Sequence, residues 1–425
     1  MRGGSRWRLT DQIGRAARGV AAISTGVATG QAVTLLATPV LSRIYSPADF
    51  GAFASFMAFV MIASTAGSLR LESAVTIATP GEARQMLWAS ALSSLLAGAI
   101  CAAVVLGVGH PAISSGPWLG SALVIYIVWI TSMYAVLTAF ALRTHQYSAV
   151  ARRNLLQAVG TAGGQLVLSR WLRSAMGLIG GLAIGRTLGV ASLIRESGLF
   201  ARDRVPDGAT MTAALRRYWR FPTVFMPAAL LNVLGVQLPI LIVARAYGAE
   251  SAGNLAQAFT FTLIPAALLG TAISSVVLAE LAARVRAGEL DQRHRYLRVS
   301  RALAPFGLAW ILGLILVAPS LLPWVLGPQW ESAGQFAAAL GISAGAGLVV
   351  SPLSVVLLLY QRSAVNLLLD IGRVALVAVV GVAAWASGLG PVVAVLGMSV
   401  SMGIVYTVTW VVGLQVVSNR GSRAG

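Results

Sequence analysis

Charged residues interrupt runs that are otherwise apolar at three places: Arg70 with Glu72, Arg186, and Asp370 with Arg373. An ion inside a membrane span is costly unless it faces a cavity or a partner, so these are the positions where chemistry is to be sought. Ala74, Val75 and Ile77 follow Arg70 and Glu72, which places the two inside their run. Side chains two residues apart on a helix point about 200° apart, so this pair is expected not to meet, and each needs its own partner. A residue such as Arg70 can also lay its stem along apolar surface and reach the headgroups. Arg186 lies between Ile184, Gly185, Thr187 and Leu188, too deep for that escape. Gly177, Gly181, Gly185 and Gly189 recur every fourth residue and form a small-residue stripe against which a neighbouring helix can approach closely. Arg186 is one step round the helix from this stripe, about 100°. It therefore points beside the helix contact, towards a cavity or the interior of a lobe, or else it is half of a buried ion pair with Asp370 or Glu280. Asp370 and Arg373 are three residues apart on one helix face and are expected to pair structurally.

No constellation suits catalysis or a metal. Three histidines, His110, His145 and His294, fall on separate connections and read as solvated loop residues, and the single cysteine, Cys101, lies in an apolar run. The spacing of a His/Cys metal site is absent, there is no disulfide framework, and no cofactor is implied.

The elements that hold these residues follow from composition. Of 425 residues 57% are hydrophobic and 10% charged, with a mean hydropathy of +0.80, against about 25% charged in an ordinary soluble domain. The chain is an integral membrane protein of all-α class. After a basic segment to Arg18, runs of a length to cross a bilayer fall near 17–40, 52–75, 86–109, 118–142, 154–171, 174–194, 221–244, 252–280, 302–326, 332–360, 364–386 and 390–417. The first run is too long for a signal-peptide core and is kept as a span. Twelve spans with the N-terminus inside put most arginines on cytoplasmic connections, as charge bias requires. Both termini are then cytoplasmic. Only Arg43, Arg170, Arg173 and Arg245 fall on outward connections. This bias accounts for the net charge of +18 without nucleic acid, since arginines beside spans are drawn to anionic lipid headgroups.

The chain also repeats itself. Tyr45 and Gly51, with Asp49 between, return about half a chain later as Tyr247 and Gly253, with Glu250 between. The longest cytoplasmic connection, near Arg195 to Arg220, divides spans one to six (residues 1–200) from spans seven to twelve (201–425). Two pseudo-symmetric six-helix lobes result, and in parallel repeats of this kind substrate sites tend to lie between the halves. Outward loops are too short to build a separate catalytic site, which disfavours a membrane enzyme or an assembly scaffold.

The run from Leu41 to Gly51, then Leu69 to Val75, and in the second half Tyr218 to Pro227 with Asn232, Tyr247, Gly253, Pro265, Ile273 and Ser274 together resemble bacterial polysaccharide flippases. These are the O-antigen and exopolysaccharide flippases of the multidrug/oligosaccharidyl-lipid/polysaccharide exporter superfamily. The resemblance covers most of the chain and rests on several short stretches in order. It implies no enzyme but a two-lobed flippase of the bacterial inner membrane. Such a protein translocates an undecaprenyl-pyrophosphate-linked oligosaccharide by alternating access, with membrane lipids and a polysaccharide polymerase as further partners. It also implies a basic central cavity with Arg70 on its wall, where a guanidinium can grip pyrophosphate at two points. Arg186 and Glu72 are the other charged candidates. Gln31 and Thr34 in span one, and Asn232 and Gln237 in span seven, offer donors and acceptors for sugar hydroxyls, or else bond neighbouring helices. Pro222, Pro227, Pro239 and Pro265 interrupt spans seven and eight and suit bending or static kinks. A cation-coupled drug or metabolite antiporter of the same superfamily remains the alternative. An acidic cavity would favour it, whereas basic residues predominate inside the spans.

Overall fold

The computed structural model describes the backbone of residues 4–110, 116–197, 208–286, 292–359 and 363–421, and side chains from residue 24 onward within these apart from 267–286 and a few isolated positions. Glu280 and the Ile273–Ser274 pair therefore lie outside the described side chains. Thirteen α-helices and no strand occur among the described residues. In chain order they are α1 (Gly4–Ile44), α2 (Pro47–Gly67), α3 (Leu71–Ile77), α4 (Pro80–Gly107), α5 (Pro117–Arg143), α6 (Tyr147–Leu168), α7 (Ala175–Ser197) and α8 (Gly208–Arg217). A π-helical turn, Phe221–Phe225, leads into α9 (Met226–Arg286), followed by α10 (Gln292–Leu326), α11 (Glu331–Leu359), α12 (Ser363–Ala386) and α13 (Pro391–Gly421).

Nine helices among the described residues are long and apolar enough to cross a membrane. Helix α9 counts once among them although it turns a corner at Gly248, whose φ of 88° suits a residue without a Cβ. Its two arms, with α1 and the more polar α6, complete the twelve spans of two six-helix lobes. Compact packing divides the chain into one unit of residues 1–45 with 56–233 and a second of 46–55 with 234–425.

In the first unit, α6 packs along α7 and α1, and α4 packs along α5. The glycine stripe on α7 is used as its spacing predicts. A Cβ on Gly181 would lie 2.4 Å from the Gln165 backbone nitrogen, and one on Gly185 would lie 2.5 Å from the Gln157 carbonyl oxygen, so α6 and α7 touch backbone to backbone. The span expected over 52–75 is not one helix. It breaks at Ser68–Arg70, where Leu69 (φ 52°) and Arg70 (φ 56°) both adopt the left-handed conformation that side chains disfavour. The fifth span starts at Tyr147 rather than near 154, so Arg152 and Arg153 belong to the helix and not to a connection.

Caps fix the helix starts. Ser46 and Asp49 bond reciprocally at the start of α2: the Ser46 amide donates to Asp49 Oδ2 at 3.0 Å, and the Asp49 amide donates to Ser46 Oγ at 3.2 Å. The acid in the first copy of the repeated motif is thus a helix cap. Thr79 and Glu82 do the same for α4. Glu82 also accepts from Arg217 at 2.9 Å and from the Tyr218 hydroxyl at 3.1 Å, which seats α8 on α4. Burial, and next the Glu82 carboxylate, raise the Tyr218 phenol above its usual pKa.

In the second unit, α10 packs on α11, and α13 covers α11 and α12. The two copies of the repeat meet here. A Cβ on Gly51 would fall 1.7 Å from the Ala249 carbonyl oxygen, and one on Gly253 would fall 1.8 Å from the Pro47 carbonyl oxygen. Ala249 stands to Tyr247 as Pro47 stands to Tyr45, so the contact is reciprocal, as two segments related by a pseudo-two-fold axis make it. The repeated glycines are there because only hydrogen fits.

The histidines depart from expectation. His110 is buried, with its ring 6.3 Å from those of both Phe56 and Phe59, and burial lowers its pKa. His294 is exposed but sits in the first turn of α10. His145 alone is an exposed turn residue, bonded to the Tyr147 hydroxyl at 2.9 Å.

Candidate functional site

The break between α2 and α3 opens a cavity inside the first unit. Its volume is about 360 Å³, and it is lined by Met61, Ser64, Thr65 and Ser68 of α2 and the break, Arg70 and Glu72, Thr131, Ser132, Tyr134 and Ala135 of α5, Gln157 of α6 and Arg186 of α7. Three of the charged residues singled out from the sequence therefore share one wall-lined space.

Arg70 and Glu72 do meet, against the helical expectation: Arg70 Nη1 lies 3.2 Å from Glu72 Oε1. The 200° argument assumes a continuous helix. The left-handed turn at Leu69 and Arg70 removes that premise and folds Arg70 back over the first turn of α3. Arg70 Nε and Glu72 Oε2 are buried without hydrogen-bond partners.

Arg186 points into the cavity, as its offset from the glycine stripe predicts. Among the described residues it has no ion pair, and its Nη1 is buried without a hydrogen-bond partner. Asp370 is not its partner, since that carboxylate is held in the second unit by Arg373 at 3.1 Å and by the Asn366 amide at 3.2 Å. The Asp370–Arg373 pair forms as its spacing predicts, and the guanidinium lies flat on Gly235, where a Cβ would come within 2.8 Å of Arg373 Nε. Gln157 Oε1, also on the cavity, is buried and unpartnered. The cavity thus has one charge pair that cancels, one arginine that no described carboxylate pairs, and hydroxyls from Ser64, Thr65, Ser68, Thr131, Ser132 and Tyr134. Such a set suits an anion.

The uncharged candidates are placed elsewhere. Gln31 is half-buried on α1, Asn232 is exposed on the first arm of α9, and Gln237 is half-buried one and a half turns further on. None of the three lines the cavity.

Sequence reasoning missed Arg153, which it counted among cytoplasmic charges. The residue is 3% exposed, and its guanidinium lies 3.5 Å from the centre of the Tyr134 ring. It donates to the Tyr134 hydroxyl, Thr138 Oγ1 and Asn154 Oδ1. Its neighbour Arg152 is exposed and pairs with Glu196 at 2.9 Å. The signal was available in Ala149, Val150 and Arg153, which fall on one face of a helix once the helix is begun at Tyr147.

Comparison with known proteins agrees with this architecture. The family described as polysaccharide biosynthesis protein matches residues 40–335. The chain is 24% identical over 318 residues to the succinoglycan biosynthesis transport protein ExoT of Rhizobium meliloti (strain 1021), an alignment covering 72% of this chain and 62% of that protein. It therefore spans less than two thirds of that relative's length. Among solved structures, the lipid II flippase MurJ in an inward closed conformation superposes with a TM-score of 0.71 at 14% identity, covering 92% of this chain and 87% of that one. An inward-facing multidrug resistance MATE family transporter of the MOP superfamily superposes at 0.60 with 15% identity, covering 92% and 95%. At these identities the likeness to the two structures is one of fold.

Proposed function

The chain belongs to the polysaccharide biosynthesis protein family, and on that premise we propose that it is a flippase for a lipid-linked oligosaccharide. The substrate is an undecaprenyl-pyrophosphate-linked chain destined for O-antigen or exopolysaccharide. The protein carries it across the bacterial inner membrane by alternating access, with both termini cytoplasmic and with lobes 1–200 and 201–425 as the moving halves. A polysaccharide polymerase takes up the product on the far side.

The observation that carries this reading is Arg186. A guanidinium with a buried, unpartnered nitrogen on the wall of a cavity of about 360 Å³ lacks only an anion. Arg70 sits on the same wall, paired with Glu72 at 3.2 Å, and can exchange that carboxylate for a phosphate oxygen when the substrate enters. The cavity hydroxyls, which here donate to main-chain carbonyls and to Asn154 Oδ1, turn to donate to the remaining phosphate oxygens, while Gln31, Asn232 and Gln237, which lie off that cavity, are the candidates for sugar hydroxyls. The acid of the cavity is already engaged by an arginine, which leaves little for a coupling cation there.

Export of surface polysaccharide from a strain lacking its flippase tests the reading. An arginine presents a planar two-point donor where a lysine presents a compact charge. Arg186→Lys is therefore expected to leave export largely unrestored, with normal membrane abundance. Full export by Arg186→Ala would remove the anion site from the mechanism.

A further inference from the structure

The first unit keeps a second buried arginine, Arg153, that no described carboxylate pairs, close to the cavity wall but not on its lining. Arg152 and Arg153 are adjacent on α6 and so point about 100° apart. The acid of this region, Glu196, pairs with the exposed Arg152, and the buried Arg153 receives only the neutral oxygens of Tyr134, Thr138 and Asn154. Among the described residues no carboxylate pairs with Arg153, and its Nε has no hydrogen-bond partner. A cation buried this way is expensive to keep. A helix clamp does not require the charge, because a neutral amide, with two N–H donors, could still tie two of these oxygens.

Its placement ties it to the cavity. The guanidinium covers the ring of Tyr134, a wall residue, without itself lining the cavity, and it donates to the same hydroxyl that in turn donates to Asn154 Oδ1 at 3.2 Å. Gln157, another wall residue, is one turn further along α6. Gly189 of α7 makes room for the stem, since a Cβ there would lie 3.4 Å from Arg153 Cγ. Gly189 is one turn beyond Arg186 on the same helix. Tyr134 thus shares the cavity wall with Arg186 and carries Arg153 on its ring, and neither guanidinium is paired with a described carboxylate, whereas Arg70 is paired with Glu72.

We propose that Arg153 is a positioning and selectivity residue. It fixes Tyr134 in the wall and, with Arg186, gives the cavity a second uncompensated charge, so that a doubly charged diphosphate ester is held in preference to a singly charged phosphodiester. This rests on the anion-binding role given to Arg186. In a diphosphate diester each phosphate carries one negative charge, so two charges in the ligand face two in the protein. In a phosphodiester one protein charge is left over. The low dielectric of the site makes that mismatch count.

The test is binding to the purified full-length protein in detergent. The two probes are a short-chain isoprenyl diphosphate ester of a hexose and the isoprenyl phosphate ester of the same hexose. The native protein is expected to bind the diphosphate at least tenfold more tightly. Arg153→Gln should cut that preference to within about threefold, mainly by weakening diphosphate binding, and Arg153→Lys, which keeps the charge, should retain most of it. Equal weakening of both ligands by Arg153→Gln would make the residue merely structural and overturn the proposal while leaving the anion site standing. A native protein that binds both probes equally would overturn it without any variant having to fold. A native protein that binds neither would instead bring down the anion site itself.

Discussion

The contact between α6 and α7 offers a sharp test of how the cavity is built, because a glycine on it and a glycine just off it predict opposite effects. A Cβ added at Gly185 would lie 2.5 Å from both the Gln157 carbonyl oxygen and the Thr161 amide nitrogen. These are backbone atoms, which no rotamer change can move, so the helices must part by roughly 1 Å to reach ordinary contact. Overpacking of this kind costs about 1–3 kcal/mol, and the main-chain obstacle puts Gly185→Ala at the upper end. Replacing a helical glycine by alanine returns about 1 kcal/mol, for a net loss of about 2 kcal/mol. Gly163, on α6, meets nothing within 4 Å, so Gly163→Ala should keep the gain of about 1 kcal/mol. At about 2–4 °C per kcal/mol for a unit of this size, Gly185→Ala should melt about 4–8 °C below the native protein and Gly163→Ala about 2–4 °C above it. Thermal unfolding in detergent can be followed by the fluorescence of the 11 tryptophans. Because Gln157 and Arg186 flank Gly185, the variant should also weaken anion binding. A Gly185→Ala protein that melts at or above Gly163→Ala would refute the backbone contact.

Two further outcomes follow from named contacts. Glu72→Gln frees Arg70 from its partner, and since partly exposed pairs are worth about 1 kcal/mol or less, affinity for an isoprenyl diphosphate should rise about two- to fivefold by equilibrium binding; an unchanged affinity would take Arg70 off the binding wall. Thr79→Ala removes the cap of α4 and should cost about 1 kcal/mol, read as a lower melting temperature, with no change in the preference between diphosphate and phosphate ligands.

Much of this was written in the sequence, and what was not has physical reasons. Hydropathy gave the spans because lipid demands uninterrupted apolar length. The glycine period on α7 gave both the α6 contact and the direction of Arg186, because helical geometry there is regular. The break at Leu69 and Arg70 left no trace, since neither residue favours the left-handed conformation and the hydropathy runs through it. The inference that assumed a continuous helix at that point, the separation of Arg70 from Glu72, failed with it. Arg153 was hidden by its neighbour: two adjacent arginines read as a topological signal, and only the true start of α6 shows that one of them turns inward. His110 was misread because the rings that bury it, Phe56 and Phe59, come from α2, distant in sequence.

The central claim is that Arg186 holds the anionic head of a lipid-linked oligosaccharide during its passage. Translocation of an isoprenyl-diphosphate-linked oligosaccharide in proteoliposomes containing the purified protein tests it most directly, with native protein, Arg186→Lys and Arg186→Ala reconstituted at equal density. The account predicts transfer by the native protein, a loss of about tenfold or more with Arg186→Ala, the scale of one charge-assisted bond, and poor recovery with Arg186→Lys. Transfer by Arg186→Ala at the native rate would contradict it.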